Sequence, residues 1–301
     1  MSEKNNPMSV PTAGSQSHRD SIFVEDAEII SHQAFEGDQY ILRIRAKRIA
    51  ESAQPGSFAH IQCDRSKPLR RPISIMRVSP SEGWVDFLYK AVGEGTRLLA
   101  QRKVGEQIST LGPIGVPFKI SKPRPLMIGG GVGMPPMIFA AESVKGNKDF
   151  QPFVILGSEV PFPFKPKPSQ ILIPNLPEGV IAAMPLLDDW GIASRLASLQ
   201  GFAGCHQGYV TDLARAWLES LDEQARTEVE ILSCGPHPML EAVARLAQEY
   251  AIPCQVSLEE FMACGVGGCA GCVVEVQTAL GPAMKRVCVD GPVFNARDVF
   301  V

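Results

Sequence analysis

Four cysteines near the end of the chain have a spacing suited to an inorganic cluster. Cys264, Cys269 and Cys272 follow C-x4-C-x2-C, and Cys288 comes after fifteen further residues. Thiolates are soft ligands for iron, and this spacing is that of plant-type [2Fe–2S] sites. Gly265, Gly267, Gly268 and Gly271 interleave the thiols. Residues without a Cβ let backbone amides approach the sulfides and offset their negative charge. Two other occupants compete. Structural zinc draws its ligands from paired short hairpins, whereas here three ligands share one loop and the fourth stands apart. Two disulfides would suit an exported chain, and nothing else in the sequence suggests export.

Three further stretches carry anion-binding chemistry. Leu69-Arg70-Arg71-Pro72-Ile73-Ser74 joins an arginine pair to a proline-fixed turn and a serine at the start of a strand. These groups suit a pyrophosphate and the edge of a heterocycle, although surface arginines beside proline are also common. Gly93-Glu94-Gly95-Thr96 follows the strand end Leu88-Tyr89-Lys90 and reads as a turn opening a short helix. Its first amides lack helical partners; Thr96 can add a hydroxyl or serve as the helix N-cap. Pro125–Ile128 runs as a strand into Gly129-Gly130-Gly131-Val132-Gly133, then into a helix with Pro135 and Pro136 in its first turn. Strand, glycine turn and helix start make an anion cradle, though not the strict G-x-G-x-x-G string.

The elements that must position these residues fall into two kinds. From Glu28 to about residue 120 the pattern is of short strands. Tyr40, Leu42, Ile44 and Ala46 share one face and arginines the other, and Ile73–Met76, Trp84–Lys90 and Gln107–Leu111 follow between turns. This predicts an antiparallel barrel. From about 122 to 252, strands at 125–128, 153–157, 179–184 and 229–234 alternate with helices at 213–221 and 239–250, which predicts a parallel sheet with ligands at the carboxyl ends of its strands. Gly129–Gly133 and Ser233-Cys234-Gly235-Pro236 lie at such ends. The fold class is therefore α+β multidomain: a tail over 1–21, a barrel over 22–120, an α/β unit over 121–252 and a small cysteine-bearing domain over 253–301. Pro161–Pro168 reads as a rigid surface loop, with a partner contact as the alternative, and His206 and His237 as solvated or hydrogen-bonded rather than metal ligands.

With 301 residues the chain is long enough for two or three domains. A net charge of −3 gives no electrostatic footprint for nucleic acid. No run of eighteen apolar residues exists to span a membrane. The first twenty residues are polar and lack a signal-peptide core. Cytoplasm is the expected compartment, with Cys63, Cys205, Cys234 and Cys254 as free thiols.

In this order the motifs Arg71-Pro72-Ile73-Ser74, Gly95-Thr96, Gly129–Gly133, Ser233–Pro236 and the four-cysteine segment ending Cys288-Val289-Asp290-Gly291-Pro292-Val293-Phe294 resemble the electron-transfer subunit of class 1B dihydroorotate dehydrogenase. The wider group is the ferredoxin–NADP reductase fold, a flavin barrel joined to a nicotinamide domain. The resemblance implies FAD held by Arg71, Pro72, Ile73 and Ser74, by Leu88, Tyr89 and Lys90, and by Gly95 and Thr96. Ser74 would lie near the flavin's reactive ring and Arg71 near its diphosphate. It implies NAD(H) over Gly129, Gly130, Gly131 and Gly133, with Cys234 and Gly235 near the nicotinamide. Cys264, Cys269, Cys272 and Cys288 would ligate the [2Fe–2S] cluster. Ile73 replaces the aromatic residue of the wider group and suits the dihydroorotate subgroup. Leu186–Trp190 and the proline-rich loop stand where a more acidic, helical segment is expected, which leaves NAD against NADP open; Glu159 is the candidate for a ribose hydroxyl.

A hydride carrier moves two electrons and a cluster one, so a flavin must mediate. No acid–base pair for oxidising a dihydropyrimidine stands out. The resemblance therefore implies an FMN-containing catalytic subunit as partner, docked where the cluster nears the surface, and the order dihydroorotate → FMN → [2Fe–2S] → FAD → NAD. The alternative is the small subunit of an NADH-dependent ferredoxin:NADP oxidoreductase, where an aspartate is expected in place of Cys264. A redox subunit for another partner, or a zinc-binding nucleotide sensor, are further readings.

Overall fold

A computed structural model describes residues 21–300; the expected tail, apart from Ser21, lies outside them. Six antiparallel strands close a barrel in the order β1-β2-β5-β4-β3-β6. They are β1 (Phe23–Phe35), β2 (Gln39–Arg45), β3 (Phe58–Ile61), β4 (Arg71–Ser79), β5 (Trp84–Lys90) and β6 (Gln107–Ile114). Period-two alternation puts Ile29, Leu42, Ile44, Ile73, Ile75, Val85 and Phe87 inside. On the outer face Arg43 meets Asp86 directly across β2 and β5, donating from Nε and Nη2 at 2.6 and 2.7 Å, and lies over the Trp84 ring. Short helices α1 (Lys47–Ser52) and α2 (Glu94–Ala100) fill the connections. Strand β1 begins at Phe23, earlier than expected, because Phe23–Glu28 pairs with β6.

The second sheet runs β11-β8-β7-β12-β13-β16. Its strands are β7 (Arg124–Gly130), β8 (Phe153–Gly157), β11 (Ala193–Ala197), β12 (Val229–Cys234), β13 (Cys254–Ser257) and β16 (Val293–Asn295), all parallel except β16. Helices α5 (Val210–Ser220) and α7 (His237–Glu249) cover the face bearing Leu126, Ile128 and Ile231. Helix α3 (Met134–Val144) covers the face bearing Met127, Val154 and Leu232. Nine of the eleven α3 residues are buried, because the barrel lies on its other side and takes Phe139 into its own core. A helix apolar all round is a helix enclosed all round. Short helices α4 (Pro185–Asp189), α6 (Glu223–Thr227) and α8 (Ala296–Val299) complete the unit.

Two expectations change. Residues 179–184 are not a strand of this sheet: only β10 (Ala182–Ala183) forms, and it pairs with the two-residue β9 (Lys167–Pro168). The strand beside β8 is β11, hidden in the sequence by Ser194 and Arg195. Both are buried: the Arg195 guanidinium donates to the carbonyls of Val180, Ser194 and Ile171 at 3.1, 2.7 and 2.8 Å. A buried arginine ringed by carbonyls satisfies otherwise orphaned acceptors. The proline-rich segment packs: Phe162 is buried against Phe164 and Phe202, and Gln39 Nε2 donates to the Pro161 carbonyl at 2.7 Å.

Between β13 and β16 the chain leaves the sheet, carries the cysteines, and forms a hairpin of β14 (Val273–Thr278) and β15 (Gly281–Arg286). No helix among the described residues is long and apolar enough to cross a membrane.

Candidate functional site

The cysteine loop starts where β13 ends and is tied at both sides. The Leu258 amide donates to the Pro292 carbonyl and the Val287 amide to the Cys272 carbonyl, each at 2.9 Å, while Arg286 Nη1 donates to the Gly267 carbonyl at 3.2 Å. These ties gather the thiols into two neighbouring pairs, Cys264 with Cys269 and Cys272 with Cys288. Cys272 and Cys288 are buried and Cys269 is exposed. Amides of Val266 and Gly271 point at the sulfurs of Cys264 and Cys269 at 3.5 and 3.4 Å. Burial raises the Cys264 thiol, but amides of Val266, Cys269 and Gly268 and the Cys269 thiol together bring it down to about 7. Burial and then the adjacent Cys272 push Cys288 up to about 12; a metal cation beside it reverses that preference.

Among the described residues no three His, Cys, Asp or Glu side chains converge on one point as a single ion requires. A two-iron cluster asks for a different arrangement, two thiolates on each of two irons. Two adjacent cysteine pairs with amides aimed at the sulfurs fit that group.

Strand β3 lies beneath this loop. Phe58 packs in the apolar cluster that contains Cys272 and Cys288. His60 is fully buried under the backbone of Gly265. Burial and then the nearby Arg70 charge hold its ring below the ordinary histidine range, which favours the uncharged form. Nothing in the spacing of the sequence marks it.

Strand β4, paired with β3, carries Arg71, Pro72, Ile73 and Ser74. The two arginines have separate tasks. Arg70 is stitched to the barrel, donating to the Ser109 carbonyl at 2.6 Å, Ser109 Oγ at 2.8 Å and the His60 carbonyl at 3.3 Å. Among the described residues Arg71 bonds only the nearby carbonyls of Leu69 and Arg70, and its guanidinium lies over the backbone of Gly95, where a Cβ would stand 3.0 Å from Nε. Arg71 and Gly95 are thus brought together with no carboxylate among the described residues neutralising the charge, an arrangement that fits a diphosphate. Thr96 is the third residue of α2 rather than its cap; its hydroxyl and the Gly93 backbone bond reciprocally, each at 3.1 Å. Ile73 points into the barrel core. Tyr89 also turns inward, stacked on Tyr40 with its hydroxyl 2.8 Å from His32 Nε2, and Leu88 lines an apolar cavity against Met134 and Ile138. Of the segment 88–90, only Lys90 at the strand end is left with a half-exposed side chain.

The glycine turn and the β12 end meet as the sequence suggests. Gly129 pairs with Cys234 across β7 and β12. A Cβ on Gly133 would stand 2.5 Å from the Gly235 amide nitrogen and overlap the Cys234 carbonyl. The close approach of two strand ends leaves a cradle that a methyl would fill. Gly130 and Gly131 complete the turn, and the Met239 thioether packs over Gly130 and Gly235.

One further group was missed because only the fold assembles it. Glu259 opens onto solvent at the start of the cysteine loop, with Oε1 4.0 Å from the buried Cys234 sulfur. The surrounding protein is dense enough to raise its carboxyl, and burial raises Cys234 well above the ordinary thiol range. His237 rests against Phe300, and His206 lies 4.0 Å from Asp212.

Residues 259–300 match the iron-sulfur cluster binding domain of dihydroorotate dehydrogenase B. Over the whole chain, two similar proteins are the dihydroorotate dehydrogenase B (NAD(+)) electron transfer subunits of Caldanaerobacter subterraneus subsp. tengcongensis and Shouchella clausii. The first is 33% identical over 91% of this chain and 97% of its own length; the second is 32% identical over 87% and 92%. Among solved structures, an NADH-dependent reduced ferredoxin-NADP oxidoreductase superposes with a TM-score of 0.74 at 25% identity, covering 91% of this chain and 90% of its own. A ferredoxin NADP+ reductase from Neisseria gonorrhoeae, at 13% identity and a TM-score of 0.57 over 75% of this chain and 91% of its own, shares the fold. The length and level of these matches, together with the paired thiols, place the chain in the family of dihydroorotate dehydrogenase B electron transfer subunits.

Proposed function

We propose that this chain carries electrons from an FMN-bearing dihydroorotate dehydrogenase subunit to NAD, in pyrimidine biosynthesis. The observation that carries the reading is the seating of the two cysteine pairs on the outer face of β3, one strand away from Arg71–Ser74. When bound, FAD exchanges a hydride with NAD and single electrons with an iron–sulfur cluster.

The chain's own residues divide that work. Arg71 supplies the positive charge for the FAD diphosphate, beside the backbone of Gly95 and Thr96. Ser74, on the face of β4 away from the barrel core, offers its hydroxyl to the flavin ring. Gly129, Gly130, Gly131 and Gly133 give the nicotinamide nucleotide close access to backbone amides, with Cys234 and Gly235 at the far wall. Glu159, exposed just past β8, faces the ribose and favours NAD. Cys264, Cys269, Cys272 and Cys288 ligate the cluster. In the loop that carries the exposed Cys269, Phe261 stands 94% exposed and Val266 is exposed too, apolar surface suited to a docked catalytic subunit.

Cys264 occupies the position where the ferredoxin:NADP oxidoreductase small subunit is expected to carry aspartate, and it is paired with Cys269, which favours the dihydroorotate reading. Replacing Cys269 by Ser tests it. Dihydroorotate-dependent NAD reduction with the catalytic partner present should be lost, while NADH still bleaches the FAD absorbance. Coupled turnover at the unmutated rate would refute the proposal.

A further inference from the structure

Strand β3 turns two side chains outward, Phe58 and His60, because Ala59 and Ile61 fill the barrel. Phe58 is apolar and needs no explanation beyond packing. His60 does: it is 0% exposed, and neither Nδ1 nor Nε2 has a hydrogen-bond partner among the described residues. Two unsatisfied buried ring nitrogens carry a desolvation penalty that an apolar residue in the same place would avoid. The ring lies against the cysteine loop. A Cβ added to Gly265 would stand 2.7 Å from Nδ1, and Gly265 already adopts a φ of +69°. Backbone groups of Cys264, Arg70 and Met262 also surround the ring, short of hydrogen-bond geometry. On its other side His60 pairs through the backbone with Pro72 of β4 and with Leu111 of β6.

We propose that His60 is a positioning residue for the cluster: its buried, unpartnered Nδ1, set beneath the Gly265 backbone, takes up a hydrogen bond with residues 262–265 when the cluster seats that loop against the β3–β4 strand pair. The inference rests on the [2Fe–2S] reading of the four cysteines. A neutral imidazole brings one N–H and one lone pair, and backbone groups that support a metal loop orient its ligands and tune the metal. Through His60, the loop bearing Cys264 is held at a fixed place relative to the strand that carries Arg71 and Ser74. An apolar side chain of similar size would fill the space without directing the loop.

The test compares the full chain, purified anaerobically, with His60→Leu, His60→Asn and His60→Gln. Iron and labile sulfide are counted per FAD, and the dithionite-reduced protein is examined by electron paramagnetic resonance. Asparagine places an amide near the Nδ1 position and glutamine near Nε2. The Leu variant should lose at least half of its iron per FAD, or keep it with altered g values, and Asn should restore the unmutated signature better than Gln. Unmutated iron content and spectrum in the Leu variant would overturn the inference, as would Gln restoring as well as or better than Asn. If the Leu variant does not fold, the Asn and Gln pair decides by the same criterion. Iron and sulfide absent from the unmutated protein would instead bring down the cluster reading itself.

Discussion

Adding one methyl group at Gly133 should disable nicotinamide binding while leaving the other cofactors in place. The backbone there has φ −84° and ψ 0°, open to alanine, so the perturbation is one of space alone. A Cβ would stand 2.5 Å from the Gly235 nitrogen, where ordinary contact begins at 3.4 Å. The obstacle is backbone on both sides, and Gly129 is registered with Cys234 across the same strands. The ends of β7 and β12 must therefore separate by roughly 1 Å, an overpacking that costs about 1–3 kcal/mol. A misplacement of that size in a site that orients a reactant lowers rates on the order of a hundredfold. The assay is stopped-flow reduction of bound FAD by NADH in Gly133→Ala, with FAD and iron per chain as controls. An unmutated rate and NADH dependence would refute the argument that these two strand ends form the cradle.

The arginine pair gives a paired prediction. Arg71→Ala should weaken FAD retention roughly ten- to a hundredfold, the worth of a charged hydrogen bond at about 1.5–3 kcal/mol, read by equilibrium dialysis. Arg70→Ala should leave FAD affinity nearly intact and lower unfolding stability by about 1–3 kcal/mol, because it removes bonds to Ser109 and the His60 carbonyl. Arg195→Leu should destabilise by about 2–5 kcal/mol in denaturant unfolding, since it strips three carbonyls of their buried donor. A loss under about 0.5 kcal/mol would mean those acceptors find other partners.

What was legible in the sequence was local. The cysteine spacing, the glycine turn running into a proline-started helix, and the alternation of Leu42 and Ile44 each depend on neighbours in the chain, and each appears where the sequence puts it. What was not legible depends on the tertiary context. Strand β11 carries Ser194 and Arg195 in its interior, which mimic a loop until the carbonyls that satisfy them are in place. Residues 179–184 are apolar enough for a strand, but only Ala182–Ala183 pairs, and with β9. Leu88 and Tyr89 sit on opposite faces of one strand, so a contiguous motif splits between an apolar cavity and the barrel core. His60 and Glu259 are separated from their partners by some two hundred residues and by twenty-five residues respectively, and no periodicity connects them.

Electron paramagnetic resonance of the anaerobically purified, dithionite-reduced chain, with iron and labile sulfide counted on the same sample, meets the central claim most directly. Two pairs of thiolates around a two-iron group predict about two irons and two sulfides per chain and a low-temperature signal of a reduced [2Fe–2S] centre. A silent sample holding one zinc and no sulfide would contradict it.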